Sequence, residues 1–136
     1  MFIQYEVWVI KDYKQKVTPS RLKILSVLSH ATQVLTAYEI LNHLHDNWCD
    51  RIDITTIYRN LELFESLGLI HKIYSLWGYM ICMHIGADID RAHDMIVCHD
   101  CHHIQEVDID QHTKQLYGFK SWPVQIVGRC KQCQNL

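Results

Sequence analysis

"DITTIYRNLELFESLGLIHK", residues 53 to 72, changes its hydrophobic period partway along. Ile57, Leu61, Phe64 and Leu67 recur at helical spacing, Asp53 stands where an N-cap belongs, and Gly68 follows as a stop. Beyond the glycine, "LIHKIYS" is strand-like, and a second such run, "YMICMHI", follows through Leu76, Trp77 and Gly78. Upstream lie two further helix signals. "VTPSRLKILSVL" has Thr18 as N-cap and Pro19 at the first helical position, with Leu22, Leu25 and Leu28 on one face. "TAYEILNHLHDN" is capped by Thr36 and carries Ala37, Ile40, Leu41 and Leu44 at helical spacing. Three helices and a hairpin outline a winged helix-turn-helix. The apolar segment before residue 15 leans towards helix.

From about residue 86 the pattern differs. "HDMIVC", "HIQEVDI" and "PVQIVGRC" read as strands and "DQHTKQLYG" as a short helix, which together make a small α/β unit. The expected class is therefore α+β. A winged helix-turn-helix over residues 1–85 precedes an α/β domain over 86–136, with the boundary near "GADIDRA".

The 136 residues suffice for one compact domain or two very small ones. No apolar run approaches the roughly 18 residues of a membrane span. The N-terminal stretch lacks the charged start and small-residue cleavage site of a signal peptide. A cytoplasmic, non-membrane protein is expected, in which six cysteines point to metal or redox chemistry rather than disulfides. The net charge of −2 excludes a protein coated in positive charge. Locally, however, Lys11, Lys14, Lys16, Arg21 and Lys23 oppose only Asp12, a patch able to meet phosphate or simply a solvated helix surface.

The strongest chemical signal is a pair of C-x-x-C motifs, Cys98/Cys101 and Cys130/Cys133, with residues 102 to 129 between them. Two such turns can grip one tetrahedral zinc. A redox motif would instead sit at a helix start in a βαβ pattern, which fits these strand ends poorly. A structural zinc site that stabilises the fold is expected.

"TPSRLKIL", "TTIYRNLELFESLGLIHK" and "HDMIVCHDC...GRCKQC" resemble the ferric uptake regulator family of metal-sensing bacterial repressors, over roughly residues 15 to 133. The resemblance implies a homodimer on a double-stranded DNA operator. It places the third helix in the major groove, with Thr55, Thr56, Tyr58 and Arg59 facing DNA; Arg21, on the basic patch, is a further candidate for DNA binding. Arg59 suits a guanine or phosphate contact, although Tyr58 and Arg59 could equally pack and solvate.

Hairpin counting supplies a second metal set. With residues 75 to 78 as a turn, His71 faces Cys82 and Tyr74 faces Tyr79. With the Cys98–Cys101 knuckle closing the second hairpin, His93 faces Glu106. His71, Cys82, His93 and Glu106 together make one tetrahedral donor set, in which the thiolate favours zinc over iron or manganese. This set resembles the sensory site of zinc uptake regulators, the most similar branch. His93 sits nearer Cys98 than their histidine does, and His84 is the alternative fourth ligand. Iron-sensing members carry a histidine before the second helix, where this chain has Gln33 and Val34, and many carry another where it has Trp122. The helix after Glu106 is also shorter than usual in the family.

The expected function is a zinc-responsive DNA-binding repressor of metal-uptake genes, not an enzyme, with one structural and one regulatory zinc per subunit. The rivals are an iron- or other-metal-responsive regulator on the same scaffold and a structural zinc-bearing interaction module. A zinc hydrolase would need an open metal position and a base such as Glu106, but no catalytic motif surrounds that residue.

Overall fold

The structure is a computed structural model that describes residues 10–11, 14–48, 51–82, 94–118 and 123–135. It divides into two compact units, residues 1–89 and 90–136. The expected α+β class is the one found. "GADIDRA", and most of the segment before residue 15, lie outside the described residues; Ile10 and Lys11 are helical.

The first unit contains α1 (Pro19–His30), α2 (Ala37–Trp48), α3 (Ile54–Ser66), β1 (Ile70–Ile73) and β2 (Gly78–Ile81). Each helix begins at the cap read from the sequence. Thr18 Oγ1 accepts the Arg21 N–H at 3.3 Å, and Asp53 Oδ1 accepts the Thr56 N–H at 2.8 Å. At α2 the Thr36 hydroxyl accepts the Glu39 N–H, and Glu39 Oε1 accepts the Thr36 N–H, both at 3.2 Å. This reciprocal box satisfies two donors that a helix start otherwise leaves open. Gly68, at φ 74, ends α3; its N–H reaches Glu65 O, and the Leu69 N–H reaches Phe64 O.

The core joins Ile40 and Leu44 of α2 to Ile57, Leu61 and Phe64 of α3 and to Leu69, Ile70 and Tyr79. In α1 the buried face is broader than the expected leucine stripe. Ile24, Leu25, Val27 and Leu28 are buried, while Leu22 packs only at the margin. That is the signature of a helix covered by both α2 and α3.

The second unit contains β3 (Asp94–Cys98), β4 (Ile104–Val107), α4 (Gln111–Leu116), β5 (Gln125–Gly128) and α5 (Lys131–Gln134). The sheet order is β4-β3-β5, with β3 antiparallel to β4 and parallel to β5.

Both hairpin registers differ from expectation, each by two residues. His71 pairs with Met80 and Lys72 with Tyr79, because the turn begins one residue earlier. Gly78 does not belong to that turn. It starts β2, where a Cβ would collide with Val34, and Tyr79 beside it exchanges two backbone hydrogen bonds with Leu35. Trp77 takes the left-handed position instead, at φ 53. In the second hairpin Glu106 pairs with Met95, and His93 lies outside the described residues. The knuckle there extends to His103, whose carbonyl accepts the Cys98 N–H, and His102 turns it at φ 63. A shift of two preserves the face on which every side chain stands, so the pairings fail while the faces survive.

Candidate metal centres and nucleic-acid interface

Parallel pairing of β3 with β5 sets Cys98 beside Gly128, so both strands end at the same edge of the sheet. Cys98 closes β3 and opens the first C-x-x-C turn, and the second C-x-x-C begins at Cys130, the N-cap of α5, two residues beyond β5. The Sγ atoms of Cys98, Cys101, Cys130 and Cys133 consequently lie within 4.8 Å of one another. Cys101 and Cys130 are 3.7 Å apart. Zinc–sulfur bonds of about 2.3 Å in a tetrahedron require sulfur–sulfur edges of about 3.8 Å, so the spacing suits that ion.

The electrostatics argue in the same direction. N–H groups of Cys101 and Cys130 draw the Cys98 thiol down to about 6. Cys133 is pushed up to about 12, first by its hydrogen bond with the Cys130 thiol and then by burial. The Cys98 thiolate therefore forms readily while those of Cys101 and Cys133 are resisted, a resistance that a divalent cation at the centre removes. The Cys130 N–H also donates to Cys98 Sγ at 3.3 Å. On the outside, Arg129 Nε and Asp100 Oδ2 pair at 2.6 Å and tie one knuckle to the other. His99, His102 and His103 are exposed, as are His30, His43, His45 and His112.

In the first unit, His71 stands on β1 and Cys82 just beyond β2. They are diagonal rather than opposed, yet their ligand atoms come within 4.8 Å. Diagonal neighbours across a hairpin have Cα atoms about 7–8 Å apart, within reach of an imidazole and a thiol. Cys82 is buried and His71 partly so. Glu106 is on β4 of the second unit, partly buried; His93 and His84 lie outside the described residues.

On α3, Thr55, Tyr58 and Arg59 are exposed and Thr56 partly so, on the side away from Ile57, Leu61 and Phe64. Tyr58 is 42% exposed. Arg21 is half-buried at the start of α1, and its guanidinium donates to the Lys16 carbonyl at 2.7 Å. That bond holds the end of the basic segment against the helix.

One polar centre escaped the sequence reading. Asp94, fully buried, accepts the Val124 N–H at 2.8 Å, the Ile109 N–H at 3.0 Å and the Lys114 ammonium at 2.9 Å. A carboxylate opening the otherwise apolar strand "DMIVC" was its available signal.

Among the described residues no helix is long and apolar enough to cross a membrane. The ferric uptake regulator family model matches residues 13–126. The zinc uptake regulation protein of Escherichia coli is 25% identical over 126 residues, covering 87% of this chain and 72% of that protein. The ferric uptake regulation protein of Vibrio cholerae is 32% identical over 111 residues, covering 79% and 71%. A zinc uptake regulator solved with zinc and DNA superposes with a TM-score of 0.76 at 21% identity, covering 97% of this chain and 92% of the other. With most of its length matched, this chain belongs to the ferric uptake regulator family, a family of transcription regulators and not of enzymes.

Proposed function

We propose that this chain is a homodimeric, zinc-responsive repressor that binds operator DNA and controls metal-uptake genes. The observation that carries the reading is the meeting of His71 and Cys82 outside the four-cysteine cluster. A buried thiolate beside an imidazole is a soft donor pair, and such pairs select zinc over iron or manganese. Glu106 and His93, with His84 as alternative to His93, complete the set in this reading. The four cysteines hold the structural zinc. The likeness to zinc uptake regulators, one of them solved with zinc and DNA, supports the same assignment.

The regulatory zinc supplies a differential affinity for the DNA-competent arrangement, and that difference bounds the response. Cys82→Ser is expected to leave structural zinc and folding intact while raising the zinc concentration for half-maximal DNA binding about tenfold, or about 1.4 kcal/mol. Calorimetric zinc titration paired with DNA binding reads both quantities. An undiminished response in both Cys82→Ser and Glu106→Ala would remove this site.

Recognition falls to Thr55, Thr56, Tyr58 and Arg59 on α3, with Arg21 on the neighbouring backbone. Arg59→Ala is expected to cost about 1–3 kcal/mol on the preferred operator, the range for one good base contact. Equal affinity in a folded Arg59→Ala dimer would move the recognition surface elsewhere.

The same scaffold sensing ferrous iron is the second reading, favoured by the 32% identity to a ferric uptake regulation protein. Protein carrying only its structural zinc, titrated separately with zinc and ferrous iron for DNA binding, separates the two. Activation by ferrous iron alone would overturn the zinc assignment.

A further inference from the structure

The last turn of α1 and one face of α2 border a cleft of about 530 Å³ in the first unit. It takes in none of the residues assigned above to metal or DNA. Val27, Leu35 and Trp48 supply apolar lining, while its polar lining brings His30 of α1 together with Glu39 and His43 of α2. With histidine neutral, Glu39 is the one charged group among the described residues that line it, so the cleft favours a cation.

Two of the three side chains are already oriented. His30 Nδ1 lies 2.8 Å from the Ser26 carbonyl oxygen, which can only accept. Nδ1 therefore carries the proton, and the lone pair of the neutral ring is on Nε2. Metal-bound histidines are held in this way, the second ring nitrogen donating to a carbonyl or a carboxylate. Glu39 Oε1 accepts the Thr36 N–H in the capping box, which leaves Oε2 for a ligand. His43 follows Glu39 by one helical turn, where neighbouring Cβ atoms are about 5–6 Å apart. His30 is also the last residue of α1, and a helix C-terminus attracts positive charge.

We propose that His30 Nε2, Glu39 and His43 bind one divalent transition-metal ion in this cleft, at a site separate from the four cysteines and from the His71–Cys82 set. Two imidazoles and a carboxylate are a harder donor set than one containing thiolate, and they suit zinc, nickel or ferrous iron. The three donor atoms do not all stand within 4.8 Å of one another, as those of the two other sets do. Glu39 and His43 are exposed on the helix surface, where rotamers change within picoseconds to nanoseconds and a bound ion draws them in. The open cleft leaves room for water at the remaining coordination positions. The site is accordingly weaker than the four-thiolate one and exchanges its ion, and when filled it clamps the end of α1 to α2.

The test uses full-length protein dialysed to retain only its tightly held zinc. Further zinc is added in a calorimeter, and in a parallel NMR titration nickel(II) locates the site by paramagnetic broadening of histidine ring signals. The wild type is expected to take up additional zinc, with the His30 and His43 signals broadening first. His30→Ala and His43→Ala should each weaken the uptake at that site by about tenfold or more. Glu39→Gln, whose amide oxygen keeps the capping bond, should weaken it by about tenfold as well. Thermal melts establish that the variants fold, and Cys82→Ser should leave the broadening of His30 and His43 unchanged. A wild type that takes up no zinc beyond the tightly held ions would overturn the site. So would undiminished uptake in the three cleft variants, or broadening that begins at His99, His102 or His103. Uptake lost in Cys82→Ser and kept in His43→Ala would assign the added ion to the His71 set and equally overturn the cleft site.

Discussion

Cys98→Ser is expected to strip the second unit of its zinc and to unfold it, the largest single-residue effect in the chain. Cys98 closes β3 at 3% exposure and receives the Cys130 N–H, so it is the innermost of the four sulfurs. A serine hydroxyl is a poor zinc ligand and would leave that N–H with a shorter, misplaced acceptor. Structural zinc sites of this type contribute about 10–16 kcal/mol of apparent binding free energy, which is folding free energy where the site forms only with the fold. The short strands, with α4 spanning Gln111–Leu116, offer little to replace it. Zinc content after dialysis against a mild chelator, together with circular dichroism melting, reads the outcome. A Cys98→Ser protein retaining full zinc and an unchanged melting temperature would refute the four-thiolate assignment.

The helices of the first unit and the cysteine cluster were legible because their signals are local. Thr18, Thr36 and Asp53 cap the helices that follow them through bonds to residues three positions on, and a cap residue announces itself in sequence. The two C-x-x-C motifs needed only that their strands end together, which parallel pairing of β3 and β5 supplies. Register was harder. Glycine in "LWGY" reads as a turn residue, yet Gly78 is demanded by the close approach of Val34 and Leu35, from an element 43 positions earlier in the case of Leu35. Nothing near position 78 in the sequence carries that contact. The faces on which His71 and Glu106 stand were unaffected by the error because side chains alternate with period two, and both slips were even. Asp94 was missed for a related reason, since its partners Ile109, Val124 and Lys114 are all remote in sequence.

Asp94 should carry the second-largest effect. Burial by itself would raise its carboxyl, but the Val124 N–H, the Lys114 ammonium and the Ile109 N–H outweigh burial and hold it below the ordinary carboxylate value. The carboxylate thereby ties together the start of β3, the approach to α4 and the approach to β5. Asp94→Ala removes the acceptor for two backbone donors and leaves Lys114, 7% exposed, without its counter-charge. Breaking a buried pair from one side costs about 3–5 kcal/mol. The two partners are not equivalent. Lys114 can swing its ammonium into water on a flexible stem from a short helix, but the Ile109 and Val124 N–H groups are fixed in the backbone. Lys114→Met is therefore expected to be milder than Asp94→Ala, by at least about 1 kcal/mol, because it leaves both backbone bonds in place. Urea unfolding of zinc-loaded variants, followed by a probe in the second unit, measures the two costs. Equal losses would mean that the ion pair carries the stability, and a loss below 1 kcal/mol for Asp94→Ala would mean that the buried carboxylate does not hold the unit together.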